Sequence, residues 1–206
     1  MKKLNTNSNA YIIIYSTVLV VIVAFLLAFI YQALKPMQDA NVALDQKKQI
    51  LNSLNLRNFD DVKADKTYSE VVKEMKTAKG AVYYECNVEG KTKYVFPLKG
   101  MGLWGGISGY IALDDDKNTV YGAYFNHEGE TAGLGAEIKD DQSWQEKFQG
   151  KKVFDAEGNI VLAVVKKVDN PDSQVDAVTG ATLTSNGVSD MLQNGLSAYA
   201  DFLKSE

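Results

Sequence analysis

The stretch AVYYECNVEGKTKYVFPL, residues 81–98, alternates apolar and polar side chains on both sides of the dipeptide Glu89-Gly90. Successive side chains of a β-strand point to opposite faces, so alternation with a period of two is typical of strands. Glycine readily adopts the positive backbone angles that short hairpin turns require. The stretch therefore predicts an antiparallel β-hairpin that turns at Glu89-Gly90.

The sequence that follows continues this organisation. GYIALDDDKNTVYGAYFN, residues 109–126, predicts a second hairpin around the polar turn Asp114–Asn118. SWQEKFQG, residues 143–150, predicts a helix, and NIVLAVVKKV, residues 159–168, predicts one more strand. Apolar side chains at helical spacing predict a terminal helix: Val188, Met191, Leu192, Leu196, Tyr199 and Leu203. This order favours an α+β domain with an antiparallel sheet and helices on one side of it, rather than repeating βαβ units.

The N-terminal part of the chain carries a long uncharged stretch from Leu4 to Leu34. The apolar run within it, Tyr11–Leu34, is long enough to span a bilayer, which takes about 20 residues. A cleaved secretory signal is the alternative, but we find no A-x-A-like cleavage site in the sequence. We therefore expect a retained membrane anchor. Lys2 and Lys3 favour a cytoplasmic N-terminus, although further lysines follow the span at Lys35, Lys47 and Lys48.

These features divide the chain into four predicted segments. They are a cytoplasmic tail at residues 1–10, a transmembrane helix at 11–34, a membrane-proximal helical segment at 35–79 and an extracytoplasmic domain at 80–206. Pro36 is expected to end the membrane helix, because proline lacks the backbone N–H of a helix interior. Ser69–Lys76 is expected to form a short helix before the strand pattern begins beyond Gly80.

The composition excludes several classes of function. A net charge of −4 with mixed charges provides no basic face for the phosphates of nucleic acid. Cys86 is the single cysteine and His127 the single histidine, so the chain has no internal disulfide and no thiol cluster for zinc or iron–sulfur. Any redox chemistry must then use an organic cofactor or metals held by a partner.

Several local motifs are better explained by structure than by chemistry. GMGLWG, Gly100–Gly105, matches the dinucleotide fingerprint G-x-G-x-x-G, but strand-like sequence follows it where that fingerprint requires a helix. Asp114–Phe125 begins like a calcium loop but lacks the glycine and glutamate that the loop requires. We expect His127 to be a hydrogen-bonded loop residue rather than an acid–base catalyst, and Cys86 to be a small core residue.

The stretch VDAVTGATLTSNGV, residues 175–188, places four hydroxyl side chains around the start of the terminal helix. An ordinary N-cap explains one of them, with Thr184 or Ser185 accepting a bond from the first backbone N–H groups. It leaves Thr179, Thr182 and the upstream Asp176 unexplained. A helix N-terminus has free N–H groups and a positive dipole end, so this stretch also fits a phosphate site.

DAVTGAT, Asp176–Thr182, resembles the D-x-x-[ST]-G-A-T flavinylation motif of membrane redox subunits. Residues 100–138 resemble the C subunit of the sodium-translocating NADH:quinone oxidoreductases, and chain length and the N-terminal span agree with this family. The resemblance implies that a flavin transferase joins FMN to Thr182 through a phosphoester. The family usually has proline where Gly106 and Ala132 stand, which bears on the rigidity of these loops.

The resemblance also implies the cofactor site, in which ETAGLG, Glu130–Gly135, lies against the isoalloxazine ring. The implied FMN-binding residues, besides Thr182, are Asp176, Thr179, Gly180, Ala181, Thr184, Thr131, Gly133, Leu134 and Gly135. Trp104 is expected either to stack near the flavin or to pack in the core. No catalytic residue and no metal ligand are implied on this chain.

The implied function is electron transfer from NADH toward ubiquinone or menaquinone, within a sodium-pumping complex of the bacterial inner membrane. Partners would be the other subunits, the flavin transferase and the lipid bilayer, with the domain on the periplasmic side. The alternatives are the related G subunit of Rnf-type complexes, and a non-redox, membrane-anchored binding or assembly module. Hydrolysis with Thr182 as nucleophile is a further alternative, and it would need an adjacent base.

Overall fold

The computed structural model describes Thr6 and residues Ser8–Ser205. Its helices are α1 (Asn9–Ser53), α2 (Asp61–Val71), α3 (Glu137–Asp140), α4 (Gln142–Glu146), α5 (Thr182–Ser197) and α6 (Ala200–Leu203). Its strands are β1 (Val72–Lys76), β2 (Val82–Val88), β3 (Lys91–Met101), β4 (Gly106–Leu113), β5 (Val120–His127), β6 (Ala163–Val165) and β7 (Gln174–Asp176). Lys2 and Lys3, on which the predicted orientation partly rests, lie outside the described residues, as does much of the predicted tail at residues 1–10.

Contacts between residues divide the chain into a unit that ends at Leu44 and a unit that begins at Asp45. The first unit contains α1 as far as Leu44, and α1 is long and apolar enough to cross a membrane. Pro36 lies inside α1, so the expectation that the helix ends at Pro36 is wrong. Proline removes one backbone hydrogen bond of a helix, and the remaining bonds let the helix continue through it.

The second unit is built on a five-stranded antiparallel sheet with the strand order β1-β2-β3-β4-β5. Both predicted hairpins are confirmed. Glu89 and Gly90 form the first turn with φ values of 53° and 79°. The predicted helix at Ser69–Lys76 is wrong in its C-terminal part, because residues 72–76 form β1. That strand pairs with β2, with Val72 opposite Cys86, and this tertiary pairing overrides the local helical spacing.

Helices cover both faces of the sheet, whereas the sequence predicted helices on one side. One core contains Phe96, Ile111 and Phe125 and packs against α4, α5 and α6. On the opposite face, a second core joins the sheet to Ile50, in the last turn of α1, and to Leu54 directly after it. Its sheet residues are Tyr84, Cys86, Val95 and Tyr110. The strands are therefore apolar on both sides, which weakens the simple apolar–polar alternation that a half-exposed sheet would show. Cys86 is buried in this second core, as expected.

The C-terminal part of the domain places the terminal helix against the sheet. The predicted strand at residues 159–168 is reduced to β6, which pairs in parallel with β7. This pair differs from the antiparallel arrangement that the sequence predicted. α5 then packs against β3 and β6, and its apolar residues Val188, Met191 and Leu192 are buried in the core of the first sheet face. The first turn of α5 therefore emerges at the end of the sheet where β3 passes into β4.

Candidate functional site

The segment between β7 and α5 is a tight turn that leads directly into the helix. Gly180 has a φ of 77°, and the N–H of Ala181 donates to the carbonyl of Val178 at 3.1 Å. α5 begins at Thr182, and no side chain caps it at Ala181. The first backbone N–H groups of a helix have no partner within the helix, so this turn leaves donors at the mouth of α5.

The hydroxyl groups of this segment do not cap α5, so the interpretation of Thr184 or Ser185 as the N-cap is wrong. Both residues already belong to the first helical turn and are buried. Ser185 Oγ accepts from the N–H of Val178 at 3.1 Å, and Thr184 Oγ1 donates to Glu130 at 2.5 Å. Thr182 is exposed, and its hydroxyl makes no hydrogen bond to any of the described residues.

The Glu130–Gly135 loop follows β5 and closes on itself. The backbone N–H groups of Leu134 and Ala136 both donate to the carbonyl of Thr131 at 3.1 Å, and Gly133 has a φ of 72°. Thr131, Gly133 and Leu134 are exposed, whereas Gly135 is buried. Gly135 lets the loop lie close to α5. A Cβ at this position would overlap the Glu130 carboxylate and lie 2.7 Å from Thr184 Oγ1. The loop thus turns its outer residues to solvent above the start of α5.

The fold brings this loop and the Asp176–Thr182 segment together. A Cβ on Gly180 would lie 2.8 Å from Leu134 Cδ2, so the two segments are in van der Waals contact there. Thr179 and Gly133 line one cleft of about 230 Å³. Most of the predicted site residues, from two motifs about 50 positions apart, therefore surround a single surface region. Ala181 is buried beneath it.

Asp176 lies at the start of this segment and lines the same cleft as Thr179 and Gly133, and its own contacts run to α4 and the residue after it. Its Oδ2 pairs with Lys147 Nζ at 2.8 Å, and its carbonyl accepts from Trp144 Nε1 at 2.8 Å. Both charged groups of this pair are about half exposed, so the ion pair contributes at most about 1 kcal/mol. The contacts of Asp176 anchor the segment to α4 rather than reaching toward Thr182.

Glu130 is the central side chain of the region, and no role was assigned to it from the sequence. It is only 8 % exposed, and its Oε1 accepts from the N–H of Trp104 at 2.9 Å. Its Oε2 accepts from Thr184 Oγ1, and its own N–H donates to His127 Nδ1 at 3.1 Å. Desolvation raises the pKa of Glu130, but the hydrogen bonds from Thr184, Trp104 and Leu103 outweigh it, and its pKa lies below the ordinary value.

The turn between β3 and β4 adds apolar side chains to the same region. The N–H of Gly102 donates to the carbonyl of Gly105 at 2.9 Å, and the turn exposes two large side chains at its tip. Together with neighbours from the other segments they form what we call the apolar collar: Met101, Leu103, Trp104, Leu134 and Leu183, each between 43 % and 69 % exposed. Among the described residues from Asp45 onward, only Val62 is another large apolar side chain that is as exposed as the members of the collar.

These positions test three expectations drawn from the sequence. Trp104 lies at the exposed tip of a turn and does not pack in the core. His127 accepts a hydrogen bond, as expected, but it is the last residue of strand β5 and not a loop residue. Gly100–Gly105 connects β3 to β4, and the strand that follows it confirms that the dinucleotide fingerprint lacks its helix.

A family model described as FMN-binding domain matches residues 102–197, which include the turn, the loop and the start of α5. A crystal structure of the C subunit of Na(+)-translocating NADH-quinone reductase from Parabacteroides distasonis is 38 % identical, with a TM-score of 0.76. That alignment covers 84 % of this chain and 98 % of the other. The structure of Shewanella oneidensis NqrC, at 22 % identity and a TM-score of 0.65, shares the fold.

Curated relatives carry the same name. The C subunit from Neisseria meningitidis strain MC58 is 34 % identical over 77 % of this chain and 60 % of its own length. The Haemophilus ducreyi protein is 28 % identical over 97 % of this chain and 96 % of its length. The Chlamydia muridarum protein is 43 % identical, but the aligned part spans only 39 % of its length.

Fold and site together define an FMN-binding-domain protein with an apolar helix that precedes the domain. Within that class, the chain belongs to the NqrC family, the C subunits of Na(+)-translocating NADH-quinone reductase.

Proposed function

We propose that this chain carries FMN on Thr182 through a phosphoester and transfers electrons within a sodium-translocating NADH:quinone oxidoreductase. One observation carries the proposal. An exposed, unbonded threonine hydroxyl stands at an uncapped helix start, directly beside the apolar collar. This is the arrangement that a ligand with an anionic phosphate at one end and a flat aromatic ring at the other requires.

The phosphate end of FMN fits the start of α5. The free N–H groups and the positive end of the helix dipole stabilise an anion there without a cationic side chain. Thr179, Gly180 and Ala181 form the turn that leads to this point, and we assign them to the phosphate end of the site. Thr184 is assigned to support the site from beneath, through its bond to Glu130.

The ring end fits the apolar collar and the exposed face of the Glu130–Gly135 loop. Thr131, Gly133 and Leu134 present backbone groups and one apolar side chain to this surface, and Gly135 allows the loop to lie close to α5. Burial of large apolar groups stabilises by about 25 cal/mol per Å² of surface removed from water. A ring that covers part of the collar would therefore be held by apolar contacts as well as by its covalent tether.

Formation of the tether replaces the Oγ–H bond of Thr182 with an Oγ–P bond. A phosphoester forms from an alcohol when the phosphoryl group is activated, so the flavin donor must carry FMN in a phosphoanhydride. Its P–O–P bond breaks, the other nucleotide leaves, and the hydroxyl proton passes to the flavin transferase. Once attached, FMN accepts and releases electrons, and the chain retains it because the linkage is covalent.

The family and the N-terminal helix support a proposal for the location and the partners. We propose that residues 11–34 span the bacterial inner membrane, that residues 1–10 are cytoplasmic and that 35–79 lie next to the membrane. The domain at 80–206 would then face the periplasm. The other subunits of the complex would supply the oxidation of NADH, the reduction of ubiquinone or menaquinone, and the sodium pathway, since one span is too little to form such a pathway.

Intact-mass analysis tests the attachment. The full-length protein, made with and without its flavin transferase, should gain the mass of one FMN only in the presence of the transferase, and the increment should survive denaturation. Thr182→Val should abolish the adduct, because valine keeps the shape and removes the nucleophile. Ser197→Ala, which removes an exposed hydroxyl at the other end of α5, is the control and should retain it.

An unchanged mass for the wild-type protein under these conditions would overturn the covalent proposal. It would favour the alternative of a non-redox binding or assembly module. An adduct that persists in Thr182→Val but maps by peptide analysis to another hydroxyl would show that the site is assigned to the wrong residue. Membership of an Rnf-type complex instead would appear as co-purification with that complex rather than with the sodium-translocating reductase.

A further inference from the structure

We propose that Glu130 is a positioning residue of the flavin site: its carboxylate joins three separate segments and fixes the surface against which the flavin ring lies. The inference rests on the proposed attachment of FMN to Thr182. It assigns a role to a residue that lies beneath that surface.

The geometry shows a carboxylate with one oxygen for each neighbouring segment. Oε1 accepts from the N–H of Trp104 at 2.9 Å, in the turn between β3 and β4. Oε2 accepts from Thr184 Oγ1 at 2.5 Å, in the first turn of α5. The backbone N–H of Glu130 itself is held by His127 at 3.1 Å, at the end of β5. The β3–β4 turn and the first turn of α5, which carry most of the collar and the attachment threonine, therefore meet at one side chain of the loop after β5.

The packing around this carboxylate shows that its place is built into the fold. A Cβ on Gly102 or on Gly135 would overlap one of the two Glu130 oxygens, so glycine at both positions leaves the space that the carboxylate fills. The side chain is nearly inaccessible, and a buried carboxylate is tolerated only when hydrogen bonds compensate for its lost hydration. Such a group restrains its partners strongly, because leaving either oxygen unpaired is costly.

The hydrogen-bond partners of Glu130 in the turn and in α5 lie in, or next to, the residues that would touch the flavin. Leu103 and Trp104 belong to the collar, and the two residues before Thr184 are the attachment threonine and Leu183. Without the carboxylate, the turn and the first turn of α5 lose their common restraint while each remains attached to its own strand or helix. We therefore expect the flavin to be attached normally but to be held loosely.

The test uses the full-length protein in detergent with two variants and a matched control. Glu130→Gln keeps the shape but removes the charge and one of the two acceptor oxygens, so the charge-assisted bonds to Trp104 and Thr184 are weakened. Thr184→Val removes one bond and leaves the carboxylate in place. Glu128→Gln is the control, because Glu128 is an exposed carboxylate two residues away that accepts from the N–H of Gly106 at 3.2 Å.

The first measurement is independent of the flavin. In a Thr182→Val background, hydrogen–deuterium exchange should quicken at least tenfold in the Leu103–Trp104 turn in Glu130→Gln, and the Glu128→Gln control should match its parent. Exchange in the sheet strands should be unchanged, which separates a local effect from a failure to fold. Unchanged exchange at the turn would overturn the proposed restraint.

The second measurement uses the flavinylated proteins. Attachment should reach the wild-type level in Glu130→Gln, whereas in both variants the visible circular dichroism of the flavin should fall by at least half and quenching of its fluorescence by iodide should increase. A variant that is loaded, folded and spectroscopically identical to the wild type would overturn the inference. If the wild-type protein carries no flavin at Thr182, the proposed function fails and the flavin part of this inference fails with it, and the exchange measurement still decides whether Glu130 restrains the turn.

Discussion

Thr184 Oγ1 donates a 2.5 Å hydrogen bond to Oε2 of Glu130, a residue 54 positions earlier in the chain. Both side chains are buried, with 1 % and 8 % of their surface exposed. The bond links the first turn of α5 to the loop after β5, and these are the two segments that carry the flavinylation motif and the Glu130–Gly135 loop. It therefore ties together two motifs that the sequence shows only separately.

Replacement of Thr184 by valine should destabilise the domain. The substitution keeps the side-chain shape but removes the donor, which leaves a buried carboxylate oxygen without its partner. Hydrogen bonds to charged groups contribute about 1.5–3 kcal/mol, and we expect a loss of this size in the free energy of unfolding. Urea unfolding of the full-length protein in detergent, followed by tryptophan fluorescence, measures it. Thr184→Ser retains the hydroxyl and should lose less, so equal losses for the two variants would contradict this role of the bond.

Acid should remove the contribution of Glu130 to stability. Its pKa in the folded protein lies below the ordinary value of 4.5, because the hydrogen bonds to the carboxylate outweigh desolvation. A carboxylate with a lowered folded pKa stabilises the fold fully above its unfolded pKa, and the stabilisation is lost as the pH falls through the folded pKa. The difference in unfolding free energy between wild type and Glu130→Gln should be constant from pH 7 to about 4.5 and shrink at lower pH.

The comparison with Glu130→Gln isolates this one group. Asp116 and Asp141 also have lowered pKa values, since hydrogen bonds and a nearby lysine favour their charged forms over the effect of desolvation. Both carboxylates are present in the two proteins, so their contributions cancel in the difference. A difference that grows as the pH falls would mean that burial of Glu130, rather than its hydrogen bonds, dominates.

The parts of the fold that depend on residues close together in the sequence were predictable from it. Both hairpins and the terminal helix follow from periodicity and turn residues, such as the Glu89-Gly90 turn with its positive φ angles. Predictions failed where a distant partner decides the structure. β1 forms because Val72 meets Cys86 across the sheet, and the helices cover both faces because Ile50 and Leu54 belong to the second core.

The candidate site divides in the same way. Thr182 and the Glu130–Gly135 loop were found through local motifs, and the structure brings these motifs to one surface. Glu130 was missed because its partners Trp104 and Thr184 lie 26 and 54 positions away. A signal was available in Gly102 and Gly135, whose missing side chains leave room for the carboxylate, but glycine alone does not tell what fills the space.

Alanine at Gly180 should impair the site through two separate effects. Gly180 has a φ of 77°, a conformation that costs other residues about 1–2 kcal/mol, and a new Cβ would lie 2.8 Å from Leu134 Cδ2. Gly133→Ala has a similar φ of 72° but open space around the Cβ, and Gly129→Ala has neither problem. Flavin transfer to Thr182, measured as adduct formed per minute, should therefore fall most in Gly180→Ala, less in Gly133→Ala and least in Gly129→Ala. Equal rates for Gly180→Ala and Gly133→Ala would show that contact with Leu134 is unimportant.

Cys86 should be unreactive in the folded protein. It is 1 % exposed, and burial, with a smaller contribution from Glu85, raises the pKa of its thiol from 9.0 to about 12. Since the thiolate is the reactive form, this shift alone slows alkylation near pH 8 by about 1,000-fold. Iodoacetamide should leave the mass of the native protein unchanged and add one carbamidomethyl group in urea. Rapid labelling without denaturant would contradict the placement of Cys86 in the second core.

Gly187 provides a separate test of how α5 meets the turn that carries the collar. A Cβ at Gly187 would overlap the carbonyl oxygen of Met101, and a second backbone atom, the Cα of Gly102, lies 3.4 Å away. Alanine favours a helix over glycine by about 1 kcal/mol, but a clash with backbone cannot be relieved by rotation of a side chain. We therefore expect Gly187→Ala to lower the free energy of unfolding by about 1–3 kcal/mol.

Gly195→Ala, in the same helix, is the control: its Cβ would meet only the end of the Leu98 side chain at 2.6 Å, so the variant should lose less stability. Because the displaced turn carries Leu103 and Trp104, Gly187→Ala should also weaken the visible circular dichroism of the attached flavin, whereas Gly195→Ala should not. Wild-type stability in Gly187→Ala would mean that α5 and the turn are farther apart than this packing requires.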